Sequence, residues 1–262
     1  MTVVAQTINK KAMNILGVIP ARYASTRFPG KPLALVAGKP MIQCVYERAQ
    51  RSAMLTDLFV ATDDERIVTA VEAFGGKVMM TRPEHQSGSD RIAEVAQQIR
   101  PHPDLVVNIQ GDEPLIDPAA IDIAINVLLA DDEAEVSTLV RPISTLEELE
   151  NPNVVKVVLA QDHTALYFSR SPIPYCRDCA GHADWLNRHQ YLKHLGVYVY
   201  RHETLLAFVS WPPGRLERVE HLEQLRLLER GVRIHAARTE YEGRSVDTPA
   251  DLEALNRDLM MG

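Results

Sequence analysis

Several familiar signatures are absent from these 262 residues, and each absence closes a class of function. No G-x-G-x-x-G follows the first apolar run, which counts against a dinucleotide-binding oxidoreductase. No G-x-x-x-x-G-K-[ST] occurs either, which counts against a P-loop enzyme. No Ser-His-Asp arrangement is evident, and there is no internal repeat or low-complexity segment. Apolar runs never approach the length of a membrane span, and the polar stretch from Met1 to Lys11 lacks the apolar centre of a secretory signal. Cysteine is scarce, and its odd count of three suggests a reducing cytoplasm rather than a disulfide scaffold. With 28 basic against 35 acidic side chains the formal charge is −7, which argues against a nucleic-acid surface and for a soluble protein.

What is present is enough to bury a full core. At 46% hydrophobic, the chain suits one large α/β domain or a domain with a subdomain. Residues 1–12 read as a frayed extension, with Met13 an alternative start, and residues 13–262 as a single domain. The pattern predicts strands at Ile15–Ile19, Leu58–Ala61, Lys77–Met80 and Leu105–Ile109. Helices are expected at Pro40–Met54, Glu65–Phe74 (capped by Asp63), Ile92–Ile99 and Pro118–Leu129. This βαβα rhythm implies a mostly parallel sheet with helices on both faces. The later half turns strand-rich, at Glu135–Arg141, Val154–Ala160, Ala165–Phe168, His194–Tyr200 and Val232–Ala236, which fits a smaller mixed subdomain. One amphipathic helix is expected over Leu216–Arg230, a closing helix over Pro249–Leu259, and a long mobile loop over Cys176–Asn187.

The most informative stretch runs from Val18 to Leu33. An apolar strand ends at Pro20, and the loop beyond it carries Arg22, Arg27 and Lys31 interleaved with Ser25, Thr26 and Gly30. Three cations and two hydroxyls beyond a strand end suit a polyphosphate, because open α/β sheets bind ligands at the carboxyl ends of their strands. The plainer alternative is a solvated basic loop. Asp112 and Glu113 follow the strongest strand directly, and a divalent cation bridging them to phosphates would explain acids beside a basic loop. Mg²⁺ takes one or two carboxylates and completes its shell with water and phosphate. Asp247 is the natural second carboxylate, although Asp117 and Asp247 each precede a helix and could simply cap it. Thr248 would cap equally well. Cys176-x-x-Cys179-x-x-His182 has zinc-like spacing without a fourth ligand in register, so a polar loop holding two thiols competes with a metal site.

Further motifs follow in order: Gln86-Ser-Gly-Ser-Asp-Arg91, Asn108-Ile-Gln-Gly-Asp-Glu-Pro114, Tyr167-Phe-Ser-Arg170, His194-Leu-Gly-Val-Tyr198, Leu222-Glu-Gln-Leu225 and Val246-Asp-Thr-Pro249. With the basic loop, they resemble the sugar nucleotidyltransferases, and within them most the 3-deoxy-manno-octulosonate (Kdo) cytidylyltransferase family. The resemblance runs from about Asn14 to Asn256.

It implies a Rossmann-like nucleotidyltransferase fold whose nucleotide half spans about 13–133. The sugar-binding and dimerising half would span about 134–262. The implied substrates are CTP and Kdo, the cofactor Mg²⁺ on Asp112 and Asp247, and the state a cytoplasmic homodimer. Arg22, Lys31, Asp112 and Asp247 would be catalytic. Arg22, Ser25, Arg27, Lys31, Arg82, Ser87, Gly88, Ser89 and Arg91 would hold CTP. Gln110, Arg170, His194, Tyr198, Glu223 and Gln224 would surround the sugar, with Arg170 clamping its carboxylate. Read without the resemblance, Tyr198 could be strand core, and Glu223 and Gln224 the wet face of a helix. Rival readings are a cytidylyltransferase for 8-amino Kdo or a nonulosonate, and a non-catalytic nucleotide-sugar binding protein.

Overall fold

The computed structural model describes residues 13–24, 28–179 and 181–261. The expected N-terminal extension and three loop residues, Ser25, Thr26 and Arg27, lie outside the described residues. The first half comprises β1 (Ile15–Pro20), β2 (Leu35–Val36), β3 (Lys39–Pro40), α1 (Met41–Ala49), β4 (Asp57–Thr62), α2 (Glu65–Ala73) and β5 (Val78–Met80). After these come α3 (Gly88–Gln98), β6 (Leu105–Asn108), α4 (Pro118–Ala130), β7 (Val136–Pro142) and α5 (Leu146–Glu150). The remainder is β8 (Lys156–Leu159), β9 (Ala165–Ser169), α6 (His182–Arg188), β10 (Leu192–Arg201), α7 (His202–Ser210), α8 (Arg215–Glu220), α9 (Leu225–Glu229), β11 (Ile234–Arg238) and α10 (Pro249–Met261).

The main sheet runs β11-β7-β10-β6-β1-β4-β5. β1 pairs in parallel with β4 and β6, β4 with β5, and β7 with β11. β10 alone on this path runs against the others, antiparallel to both β6 and β7. The expected mostly parallel sheet is therefore present. β8 and β9 extend it from β10 as an antiparallel pair, forming the smaller mixed part.

Strand residues sort by parity, as alternating side chains must. Ile15, Ile19, Leu105 and Val107 join the core on one face with Ile42, Val45, Ile67 and Ile121 of α1, α2 and α4. Leu16, Val18 and Val106 join the other face with Ile92 and Val95 of α3 and Leu205 and Phe208 of α7. Burial on both faces is why β1 and β6 read as continuous apolar runs. Among the described residues no helix is long and apolar enough to cross a membrane.

Four expectations need correction. α1 stops at Ala49, and the following turn is held instead by Ser52 Oγ donating to Asp122 at 2.5 Å. Asp64, not Asp63, caps α2 by accepting from the Arg66 amide at 3.0 Å, while Asp63 pairs with Arg91 at 2.9 Å. The single helix over Leu216–Arg230 is two short ones, broken where His221 takes a left-handed φ of 51°. The break leaves Val219 81% exposed and turns Leu222 and Leu225 inward. The Cys176–Asn187 stretch is not a bare loop: it contains α6, whose Trp185 is buried and stacks on Tyr191. There the two cysteine sulfurs are joined as a disulfide, against the expected pair of thiols and the reducing setting read from the cysteine count, and His182 pairs with Glu150 at 2.9 Å.

Candidate functional site

Two cavities open at the carboxyl ends of β1 and β6 and meet at Gln110. The first, of about 270 Å³, is lined by Pro20, Arg22, Lys31, Ser87, Gly88, Arg91, Gln110, Asp112 and Asp247 among others. The second, of about 260 Å³, is lined by Ser89, Asn108, Gln110, His194, Tyr198, Tyr200, Glu223 and Gln224 with apolar neighbours. Of the residues expected at the site, Arg22, Lys31, Ser87, Gly88, Arg91, Asp112 and Asp247 line the first cavity, His194, Tyr198, Glu223 and Gln224 the second, and Gln110 both.

The first cavity is built from three loop ends. Gly111 lets the loop after β6 approach β1, since a Cβ there would stand 2.9 Å from the Pro20 carbonyl. The Val246 amide donates to Asp112 O at 2.9 Å, and the Val246 side chain is buried with Met41 and Leu255, so the turn bearing Asp247 is pinned beside Asp112. Lys31, on a short 3₁₀ turn, donates from Nζ to Asp112 Oδ2 at 2.7 Å and Asp247 Oδ1 at 3.3 Å. Two carboxylates therefore converge on one cationic point and retain a net negative charge. Such a donor set fits a divalent cation, which takes one or two carboxylates and fills its shell with water and phosphate oxygens.

The capping alternative is resolved by geometry. Thr248 Oγ1 accepts from the Asp251 amide at 3.2 Å, and Asp251 accepts from the Asp247 and Thr248 amides, so Thr248 caps the last helix. Asp117 does cap α4, accepting from the Ala119 amide at 2.9 Å. Glu113 turns away from the cavity and is buried, accepting from the Tyr241 hydroxyl at 2.7 Å. Burial pushes its carboxyl up to about 7, opposed by the Tyr241 hydrogen bond and aided by the charge of Asp112.

Ser87 caps α3 in a box with Asp90. Ser89 departs from expectation. Its hydroxyl, placed with the nucleotide by resemblance, lines the second cavity and donates to Glu223 Oε2 at 2.8 Å. Arg91 lines the first cavity, but its guanidinium bonds Thr81 and Asp63. Arg82 is exposed, pairs with Glu94 at 3.5 Å and lines neither cavity.

The second cavity rests on β6 and β10. Gln110 folds over Gly196, donating to its carbonyl at 3.0 Å, and a Cβ at Gly196 would press to 3.0 Å from Gln110 Cγ. β10 shifts register between Leu195 and Tyr198 at this point, a bulge of the kind that re-aims side chains beside sites. The Thr138 hydroxyl lies 2.8 Å from Val197 O and 2.9 Å from His194 Nε2. Thr138 has one proton, and when it goes to the Val197 carbonyl Nε2 is the donor to the hydroxyl and Nδ1 the acceptor. Burial pushes the His194 imidazole down to about 3, so it serves as a neutral hydrogen-bonding group. Burial also raises the Glu223 carboxyl above its ordinary range, with Ser89 opposing.

Arg170 lines neither cavity. Its guanidinium donates to the carbonyls of Glu220 at 2.7 Å, Pro152 at 2.9 Å and His221 at 3.2 Å. It thereby holds the end of α8 just before Glu223 and Gln224. The residues that sequence reading missed are Asn108 and Tyr200. Asn108 had a visible signal, a polar residue ending an otherwise apolar buried strand.

Comparison with known proteins bears on the family and the fold. The pattern of the Cytidylyltransferase family matches residues 16–234. The 3-deoxy-manno-octulosonate cytidylyltransferase of Solibacter usitatus is 52% identical over 243 residues, covering 93% of each chain. The protein of the same name from Geobacter metallireducens is 52% identical over 247 residues, covering 93% of this chain and 96% of its own. A solved CMP:2-keto-3-deoxy-manno-octonic acid synthetase in complex with CTP superposes with a TM-score of 0.88 at 44% identity, covering 95% and 99%. A cytidylyltransferase from Leptospira borgpetersenii, at 16% identity and a TM-score of 0.64, shares the fold alone.

Proposed function

We propose that this chain, which belongs to the cytidylyltransferase family, transfers CMP from CTP to the anomeric 2-hydroxyl of 3-deoxy-D-manno-octulosonate, giving CMP-Kdo and pyrophosphate. The observation that carries the reading is the pair of adjoining cavities: one holds the Lys31–Asp112–Asp247 cluster, the other is lined by hydroxyl, amide and imidazole groups, and Gln110 spans both.

In the reaction the sugar hydroxyl attacks the α-phosphorus in line. A new O–P bond forms as the bond from the α-phosphorus to the bridging oxygen breaks, that oxygen keeps the electron pair and leaves as part of pyrophosphate, and the hydroxyl proton passes to solvent water. The protein contributes positioning and charge stabilisation. Arg22 and Lys31 face the polyphosphate and neutralise charge gathering on departing pyrophosphate. Ser87 and Gly88, at the start of α3, flank the nucleoside. His194, Tyr198, Glu223 and Gln224 orient the sugar hydroxyls, and the two remaining N–H groups of Arg170 suit its carboxylate. Asp112 and Asp247 would hold Mg²⁺, whose chemistry there would be polarisation of a phosphate and easier deprotonation of a hydroxyl.

We extend the reading to a cytoplasmic homodimer joined through residues 134–262, which feeds lipopolysaccharide or a related polysaccharide. Exposed Leu166, Tyr175 and Val219 in that half support the dimer, and sedimentation equilibrium checks it. The activity is tested by Mg²⁺-dependent pyrophosphate release from CTP on adding Kdo. A clear preference for a neutral sugar 1-phosphate over Kdo overturns the acceptor and leaves only the family.

A further inference from the structure

Three buried polar atoms, all on residues that line the second cavity, have no hydrogen-bond partner: Asn108 Oδ1, the Tyr198 hydroxyl and Glu223 Oε1. Asn108 is 6% exposed, and its Cα is registered opposite that of Tyr198 across the β6–β10 ladder. Directly opposed residues project from the same face of a sheet, so the Asn108 carboxamide and the Tyr198 ring share one wall. Apart from the Tyr198 hydroxyl itself, the donors near that wall have partners elsewhere. Gln110 Nε2 donates to Gly196 O, Ser89 Oγ to Glu223 Oε2, and Thr138 Oγ1 to Val197 O. A buried amide oxygen left without a donor destabilises the fold relative to an apolar side chain of similar shape. Nothing in the packing of β6 requires it, since the residues before it, Leu105, Val106 and Val107, are apolar and fully buried.

We propose that Asn108 is a specificity-determining residue whose amide oxygen accepts a hydrogen bond from a hydroxyl of the acceptor sugar. The inference rests on the acceptor reading above and deepens it. Asn108 Oδ1 only accepts and the Tyr198 hydroxyl can donate or accept, so this wall suits a polyhydroxylated ligand whose hydroxyls do both. A sugar lacking the matching hydroxyl leaves the oxygen unpaired and is rejected.

The test measures KM for Kdo, KM for CTP and the ligand-free melting temperature of Asn108→Leu and Asn108→Ala. Expected are a rise of about 10- to 100-fold in KM for Kdo, a KM for CTP within about twofold, and a melting temperature for Asn108→Leu no lower than wild type. An unchanged KM for Kdo overturns the proposal. So does a lowered melting temperature with both KM values rising together, the signature of a structural strut.

Monodeoxy Kdo analogues with the wild-type protein give a second reading that needs no folded variant: one analogue should show a KM raised by about 10- to 100-fold over that of Kdo. With folded Asn108→Leu, that loss and the loss from the substitution should not add. Equal use of every analogue refutes the assignment. If wild type releases no pyrophosphate with Kdo, the acceptor reading fails separately, and the same KM comparison is made with whichever sugar does support release.

Discussion

Replacing Lys31 with Met keeps the aliphatic stem and removes the ammonium that lies 2.7 Å from Asp112 and 3.3 Å from Asp247. The cluster passes from a net charge of −1 to −2, with two carboxylates facing each other across the vacated point. Exposed ion pairs contribute about 0–1 kcal/mol, and breaking a buried pair costs about 3–5 kcal/mol. The side chains here are 14%, 25% and 35% exposed, so about 2 kcal/mol of ligand-free stability should go. For a chain of this size that is a fall of about 4–8 °C in Tm.

Catalysis should suffer more than binding. Charge accumulates on the leaving pyrophosphate in the transition state, and removing one preorganised group of this kind typically costs about 10²–10³ in kcat. The assay is pyrophosphate release at varied CTP with saturating Kdo, alongside thermal melts with and without Mg²⁺. Without its competing ammonium the acid pair should bind the cation better, so Mg²⁺ should raise the variant's Tm more than the wild type's. A Lys31→Met protein with normal kcat and only a raised KM for CTP refutes the reasoning.

Asp112→Asn and Asp247→Asn each keep shape and remove one carboxylate, so each should cut turnover severely with little change in fold, read by activity and circular dichroism; near-normal turnover at ordinary Mg²⁺ removes that residue from the site. Arg170→Ala should weaken Kdo use by about one to two orders of magnitude, at about 1.4 kcal/mol per decade, and leave CTP binding intact. Since Arg170 also holds the carbonyls before Glu223, a loss of CTP binding as well would mark it as structural only. Lys156 is fully buried and donates to Asn151 O and Val154 O; burial, then the nearby charge of Arg170, pushes its ammonium down to about 8. Between about pH 8 and 10.5 the unfolded chain holds this proton and the native chain does not. Wild type should therefore gain stability relative to Lys156→Met across that window, on the order of 3 kcal/mol. A pH-independent difference in denaturant melts rules this out.

Local pattern carried most of the first cavity. β1 and β6 are buried on both faces, so their apolar runs are hard to misread, and the acids and cations follow within a few residues of the strand ends. The second cavity is less legible, because its parts meet only in three dimensions. The stripe Leu216, Val219, Leu222, Leu225 satisfies helical spacing, yet the chain bends at His221. The cause lies far back in sequence: Arg170 binds the carbonyls of Glu220 and His221, satisfying the end of α8 and allowing the turn. Similarly, alternation along β10 marks a strand without revealing that it runs against its neighbours. That reversal is what brings Tyr198 opposite Asn108.

The start of α3 shows why the two cavities cannot be independent. Ser87 and Gly88 line the first, whereas Ser89 lines the second and holds Glu223. Successive helical residues are rotated by about 100°, so one short turn can present neighbouring residues to different ligands. Any ligand in the first cavity that draws this turn toward it also moves the hydroxyl that holds Glu223. Gln110 makes the same link from the strand side, since it lines both cavities while its amide is tied to Gly196. A substitution at Ser89 that keeps the hydroxyl preserves this connection, and one that removes it leaves a second oxygen of Glu223 without its partner. The motif Ser87-Gly88-Ser89-Asp90 therefore caps α3, lines the first cavity and braces Glu223 of the second in four consecutive residues, and its spacing is set by the pitch of the helix it begins.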